Sequence, residues 1–448
     1  MNFPLRPVSL PLALSICLLT SMSVSPLKSA VPAPAIMDES KVVPYTIPDP
    51  LIAGDGTKIQ TPAQWRTKRR PELLELFSRE VYGRTPTRKL KGVHYEVTSK
   101  DTAALGGRAT RKEVTIWFTK GDQGPRMRLL MYVPNHVKQP PPVFLGLNFG
   151  GNHAVDSDPG IAKSELLVVF PPGETLPTSP RGKDRPLVER GGQADRWQVE
   201  KVIDRGYATA TAWYQDLCPD RIGGLDENVA PLFSKGGTEG RADDVWGAIG
   251  VWAWGLSRAL DYLETDSSVD ARKVAVHGHS RLGKTALWAG AQDERFAMVI
   301  SNDSGCGGAA LSKRVYGETV GLINKAFPHW FAKRFRFYDD NEAALPVDQH
   351  ELLALIAPRP LYVASASEDQ WADPKGEFLS AQAAGSVYAL FGKSGVGVKE
   401  MPPVDKPVGD TVAYHVRTGK HDITAYDWEQ YLNFADKHLK AQLKRGNP

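Results

Sequence analysis

The sequence predicts an α/β fold, a mostly parallel central sheet with helices on both faces and an N-terminal extension. Three observations carry this. Short apolar runs rich in β-branched residues alternate with helical patterns from residue 143 onward. Three further strand-like runs precede them, joined by short polar turns. No fixed-period repeat is present, which argues against a solenoid or a propeller. At 448 residues, 42% of them hydrophobic, the chain is long enough to bury one large core.

Residues 1–35 read as an export signal. Arg6 supplies the positive start, Leu10 to Thr20 form a short apolar run, and Ala33 and Ala35 fit a small-residue cleavage pattern. The stretch is too short and too proline-interrupted to span a membrane well. The expected mature chain is therefore secreted or periplasmic, without a membrane anchor. Removing the leader takes away Arg6 and Lys28 and no acid, so a formal charge of +4 becomes +2. With no concentrated run of Lys and Arg, a nucleic-acid partner is excluded. Three cysteines exclude a zinc ribbon or a disulfide scaffold. Cys17 leaves with the leader, so Cys218 and Cys306 either pair or lie buried apart.

Residues 36–92 form the expected extension, with a helix over 71–82 that has Pro71 in its first turn. Residues 93–448 form the expected catalytic domain. It opens with strand-like runs at 94–99, 113–119 and 127–134, read as antiparallel. A buried run at 143–148 then ends in Phe149-Gly150-Gly151, and a polar loop rich in Pro and Gly follows over 154–192. Helix 195–205 and strand 207–214 come next. Over 241–263 a helix is expected, with Ile249, Trp252, Leu256 and Leu260 continuing a stripe from Val245; it reads as a core helix. Strand 273–278, helix 281–291 and strands 296–302 and 360–366 complete the alternation.

The most informative stretch is Val276-His277-Gly278-His279-Ser280-Arg281-Leu282-Gly283-Lys284. A β-branched strand runs into Gly-x-Ser and then into a helix. A serine on so tight a bend has its hydroxyl raised above the sheet, and small neighbours relieve the crowded backbone. The helix N-terminus supplies N–H groups and partial positive charge suited to an oxyanion. This is the nucleophile turn of an α/β-hydrolase, with one departure: Leu282 stands where Gly is usual, and the glycine is displaced to Gly283.

A serine hydroxyl needs a base, and the base needs a carboxylate to hold its tautomer; in this architecture they follow the serine in the order acid, then histidine. His421 lies in the glycine-flanked loop Thr418-Gly419-Lys420-His421 before the last helix, where the base belongs. His415 sits in a strand-like run and reads as structural, while His329 and His350 fall in an insertion between strands. Two acids follow strand ends, Asp303 and Asp369. The later position is favoured, with Asp303 supporting or alternative, and Glu368 reads as a solvated neighbour.

At these residues the chain resembles the bacterial glucuronoyl esterases of carbohydrate esterase family 15, over roughly residues 60–440. The motifs are Gly278-His279-Ser280-Arg281-Leu282-Gly283-Lys284, Asp303-Ser304-Gly305-Cys306-Gly307-Gly308, Glu318, the Trp371 loop and Gly419-Lys420-His421. The displaced glycine is this family's own pattern. The resemblance implies cleavage of esters between 4-O-methyl-glucuronate on xylan and lignin alcohols, without a metal or other cofactor. It implies Ser280 as nucleophile, His421 as base, Arg281 as the charged oxyanion stabiliser, and Lys284, Glu318 and Trp371 as contacts to the sugar. Two departures stand out. The acid after the serine's neighbouring strand is often Glu in relatives, and Asp303 is a methylene shorter. Fungal members carry cysteines beside the serine and the histidine, where this chain has His279 and Asp422.

The residues support that implication physically. Arg281 and Lys284 are three apart on one helix and share a side. Lys284 and Glu318 suit vicinal hydroxyls, and Trp371 offers a flat apolar face. The expected partner is a glucuronoxylan or lignin–carbohydrate ester, met by a monomer. The rival within enzymes is an acetyl xylan esterase or other polysaccharide deacetylase on the same fold. The rival of another class is a non-catalytic carbohydrate-binding protein. No HExxH or paired-histidine spacing suggests a metal.

Overall fold

Ten strands form one mixed sheet in the computed structural model, which describes residues 35–165, 188–233 and 242–440. The export-signal expectation lies, but for Ala35, outside the described residues, as does 166–187 of the polar loop. The strands are β1 (His94–Ala104), β2 (Ala109–Trp117), β3 (Arg126–Pro134), β4 (Val143–Asn148), β5 (Ala208–Trp213), β6 (Val274–His279), β7 (Met298–Asn302), β8 (Leu361–Ala366), β9 (Val408–Gly409) and β10 (Val412–Arg417). Their order across the sheet is β1-β2-β3-β5-β4-β6-β7-β8-β10-β9. The first three and β5 pair antiparallel, and β5 through β10 run parallel in the order given, with β9 antiparallel at the edge.

The parallel strands are buried along their whole length because helices cover both faces. Alternation within β6 shows how: Val274 and Val276 join one core and Ala275 the other. On the first face pack Trp252 and Leu256 of the helix Ala248–Leu263 and Trp288 of the helix Arg281–Gln292. On the second, Trp428, Tyr431 and Leu432 of the helix Ala425–Ala435 pack against Phe144, Ile300 and Tyr362. Strand β1 is mostly exposed, as an antiparallel edge strand can be.

Three expected elements change shape. The helix expected over 241–263 begins at Ala248. The residues before it are drawn into backbone pairing with the extension: Arg84 donates its N–H to the Asp244 carbonyl at 2.8 Å, and Gly247 donates to Tyr82 at 3.1 Å. Gly247 is extended and passes so near Trp330 that a Cβ would meet its carbonyl oxygen at 2.2 Å. The helix expected over 195–205 breaks at Gln198, which is left-handed at φ 46°. The helix expected over 71–82 is α-helical from Arg70 to Phe77 and widens into a π-turn over Ser78–Tyr82. Trp65, Leu73, Phe77 and Tyr82 share the larger core, and Arg69 is paired with Glu351 at 2.6 Å inside it. Cys218 and Cys306 are buried as separate thiols. Among the described residues, no helix is long and apolar enough to cross a membrane.

Candidate active site

Six parallel strands end on one edge of the sheet, and the loops leaving β6, β7, β8 and β10 bring Ser280, Asp303, Asp369 and His421 there. Ser280 caps the helix Arg281–Gln292 at φ 58°, ψ −129°, a conformation that L residues seldom adopt. Its N–H donates to the Asn302 carbonyl at 2.9 Å, and its own carbonyl accepts from Gly283 and Lys284. The bend explains the glycine spacing. A Cβ at Gly278 would lie 2.0 Å from the Leu282 carbonyl oxygen, so the strand end and first helical turn touch there. Gly283 faces Ser304 and the Gly278 and Asn302 carbonyls, with contacts of 3.0 to 3.2 Å awaiting a Cβ. Position 282 points instead into the core, where Leu282 is buried.

His421 Nδ1 lies 2.6 Å from Asp369 Oδ2. Its ring is 44% exposed, which leaves it open to the cleft, while Asp369 is buried. Asp303 lies close by; its carboxylate, that of Asp369 and a ring nitrogen of His421 fall within 4.8 Å of one another. Its environment differs sharply. Burial, with the Glu377 and Asp369 carboxyls nearby, pushes Asp303 well above the usual carboxylate range despite the Arg417 guanidinium at 3.5 Å. One of its oxygens is buried with no hydrogen-bond partner among the described residues.

Arg281 is nearly buried between aromatic rings. Its guanidinium carbon is 4.5 Å from the Trp330 ring centre and 5.2 Å from that of Phe327. Those two rings stack on each other, 3.7 Å apart and 2° from parallel. Phe149, from the turn after β4, closes the other side at 5.9 Å. The charge is matched by Asp220, which pairs with Arg281 Nη1 and also accepts from Trp330 Nε1 at 2.7 Å and Tyr214 at 3.0 Å. His329 Nε2 lies 2.9 Å from the same carboxylate. These contacts hold Asp220 well below the usual carboxylate range in spite of its burial.

Lys284 is buried one turn along the same helix, bonded to the Ser304 carbonyl and 3.9 Å from Glu318 Oε2. Burial lowers the lysine and raises the glutamate, and each partly offsets the other. Glu318 takes its N–H to the Trp371 carbonyl at 2.9 Å, so the insertion after β7 and the loop after β8 are tied together. Trp371 is 42% exposed at the rim. All eight residues singled out from the sequence line one cleft of about 400 Å³, with Ser304, Gly305, Ala326, Phe327, Trp330 and Ala372. Asp220 and the Phe327–Trp330 stack went unread in the sequence. The aromatic pair had a faint signal in its three-residue spacing; Asp220 had none.

Of the remaining histidines, His415 is buried in β10 between Tyr362 and Asp427, at 2.9 Å from each. His350 is buried against the Pro48 carbonyl. Glu368 is exposed. No described residues outside the cleft form a group of three or more possible metal ligands.

Serine, then carboxylate, then histidine, each at the end of a later parallel strand, is the chain order of the α/β-hydrolases, and that is the class this fold defines. The sequence family described as fungal glucuronyl esterase matches residues 241–392. Carbohydrate esterase MZ0003, from an unknown prokaryotic organism, is 48% identical over 90% of this chain and 91% of its own length. A glucuronoyl esterase from Solibacter usitatus superimposes with a TM-score of 0.83 at 50% identity, covering 89% of this chain and 100% of its own. A structure of a promiscuous CE15 esterase from a marine bacterial metagenome gives 0.81 at 48% identity, over 90% and 100%. The chain belongs to carbohydrate esterase family 15, the glucuronoyl esterases.

Proposed function

We propose that the protein is a serine esterase that hydrolyses the ester between (4-O-methyl-)glucuronate of glucuronoxylan and lignin-type alcohols. The observation that carries this is the sharing of one cleft by Ser280, the His421–Asp369 pair and the buried Lys284–Glu318 pair. His421 takes the Ser280 proton as Oγ attacks the C6 carbonyl of the uronate ester. Asp369 holds the imidazole and balances the charge it gains. Arg281 faces the oxyanion with a permanent cation, joined by its own amide at the helix start. The intermediate collapses by breaking the C6–O bond to the alcohol, which leaves with the proton from His421. Water, giving its proton to His421, then attacks the acyl-enzyme, and glucuronate and Ser280 are released.

Lys284 and Glu318 hydrogen-bond sugar hydroxyls, and Trp371 covers a face of the ring. Residues 1–35 act as the export signal, 36–92 as an extension packed on the catalytic domain, and 93–448 as that domain. The protein works outside the cytoplasm on its polymer. The test is hydrolysis of methyl glucuronate against acetylated xylan, by wild type and Ser280→Ala. The expected result is a large preference for methyl glucuronate, abolished in the variant. Preference for the acetyl ester, or full activity without Ser280, overturns the reading.

A further inference from the structure

We propose that Arg417 is the positioning residue for the His421 base, holding its loop from below through a network anchored on Asp427. Arg417 ends β10 four residues before His421, and its side chain is 4% exposed. Nη1 donates to the Thr418 carbonyl at 3.1 Å. Nη2 donates to the carbonyls of Lys420 at 2.9 Å and Asp422 at 2.6 Å. The two residues flanking His421 thus both turn their carbonyls onto one guanidinium. A planar fork with a fixed charge serves several converging acceptors at once. The loop also bends at Gly419, at φ 116°, where any Cβ would lie 3.0 Å from Arg417 Nη1. The backbone is wrapped around the cation that closely.

The cation is itself fixed. Nε donates to Asp427 Oδ2 at 2.8 Å, and Asp427 is fully buried. Asp427 also accepts from the Thr424 N–H at 2.7 Å and Asn302 Nδ2 at 3.2 Å, and meets His415 Nε2 at 2.9 Å. Although burial alone would raise it, these partners hold its carboxyl below the usual range. The same network reaches the ring of His421 by a second route. His279 Nδ1 is 2.6 Å from Asn302 Oδ1, and the His279 ring lies 4.5 Å from that of His421, centre to centre. One side holds the loop backbone and the other bears on the imidazole. Asp405 and the Glu368 N–H hold only the Thr418–Gly419 end.

Arg417→Lys keeps a charge but lacks the fork that spans Asp427 and both flanking carbonyls. Arg417→Met keeps the length without donors. With methyl glucuronate, each folded variant is expected to lose about 10- to 100-fold in kcat, the scale of a misplacement near 1 Å, with KM within about twofold. The contacts that set KM, at Lys284, Glu318 and Trp371, lie on other elements. Amide hydrogen exchange is expected to quicken at 418–424 and to stay unchanged elsewhere. Three results overturn the proposal: kcat within twofold of wild type, a fall in kcat with exchange at 418–424 unchanged, or failure of both variants to fold. The proposal rests on His421 being the base of the proposed function, and His421→Ala separates the two. Full activity in His421→Ala defeats the base; an inactive His421→Ala beside a fully active Arg417→Lys defeats the positioning alone.

Discussion

The loops leaving β7 and β8 begin from neighbouring parallel strands, with Asn302 registered against Ala364, and each places an aspartate by the same histidine. Asp369 reaches His421 Nδ1 at 2.6 Å from a conformation at φ −93°. Asp303 turns back at φ 43°, gives its N–H to the Ala364 carbonyl, and buries its carboxyl beside two others. Beneath it, Glu377 accepts the Ser304 and Gly305 N–H groups and is itself pushed up to about 7 by burial. The same residue type on one edge thus meets different surroundings: Asp369 bonds the histidine, and Asp303 is buried among other carboxyls. An ionised carboxylate balances an imidazolium, and burial beside other carboxyls opposes that ionisation.

The contrast is broken or sharpened by substitution. Asp369→Asn is expected to lower kcat on methyl glucuronate about 1,000- to 10,000-fold, as loss of the orienting acid does in such triads. A loss below tenfold would exchange the two loops' roles. Arg281→Gln supplies a yardstick that touches neither acid, and steady-state kinetics should show about 100- to 1,000-fold loss. Asp303→Asn is expected to cost no more than about tenfold, since Asp369 already bonds His421 Nδ1 and burial disfavours the charge on Asp303. Varying the alcohol of the glucuronate ester should move kcat/KM only a few-fold, because the proposed contacts at Lys284, Glu318 and Trp371 are to the sugar; a strong preference for one alcohol counts against this.

The smallest effect is on stability. Burial raises Asp303 in the fold above its unfolded value near pH 4, so this group's contribution is present below that pH and lost as pH rises. Asp303→Asn should therefore raise Tm at pH 7, with the gain vanishing toward pH 4. Thermal unfolding at both pH values checks it; equal shifts at the two would show Asp303 ionised in the fold.

Much of this was legible beforehand because it lies in short stretches. The parallel strands announced themselves by β-branched runs of the right length, and the Gly278–Gly283 spacing marked a bend whose crowding the structure measures. Where partners come from afar, reading failed. The helix expected from 241 begins only at Ala248, the residues before it pairing with Arg84 and Tyr82, some 160 residues earlier. Asp220 has an unremarkable neighbourhood in the chain and becomes the counter-charge of Arg281 only through the loop after β5. Arg417 likewise gave no sign of its role in the local sequence.

Local chemistry along the chain determined the fold class and the bend at Ser280, since strand periodicity and bend sterics depend on near neighbours. Folding in three dimensions decided which aspartate bonds the histidine, what neutralises Arg281 and what holds the His421 loop. Those depend on burial and on charges a few ångströms away in space but 10 to more than 100 residues apart along the chain, and no pattern of adjacent residues records such distances.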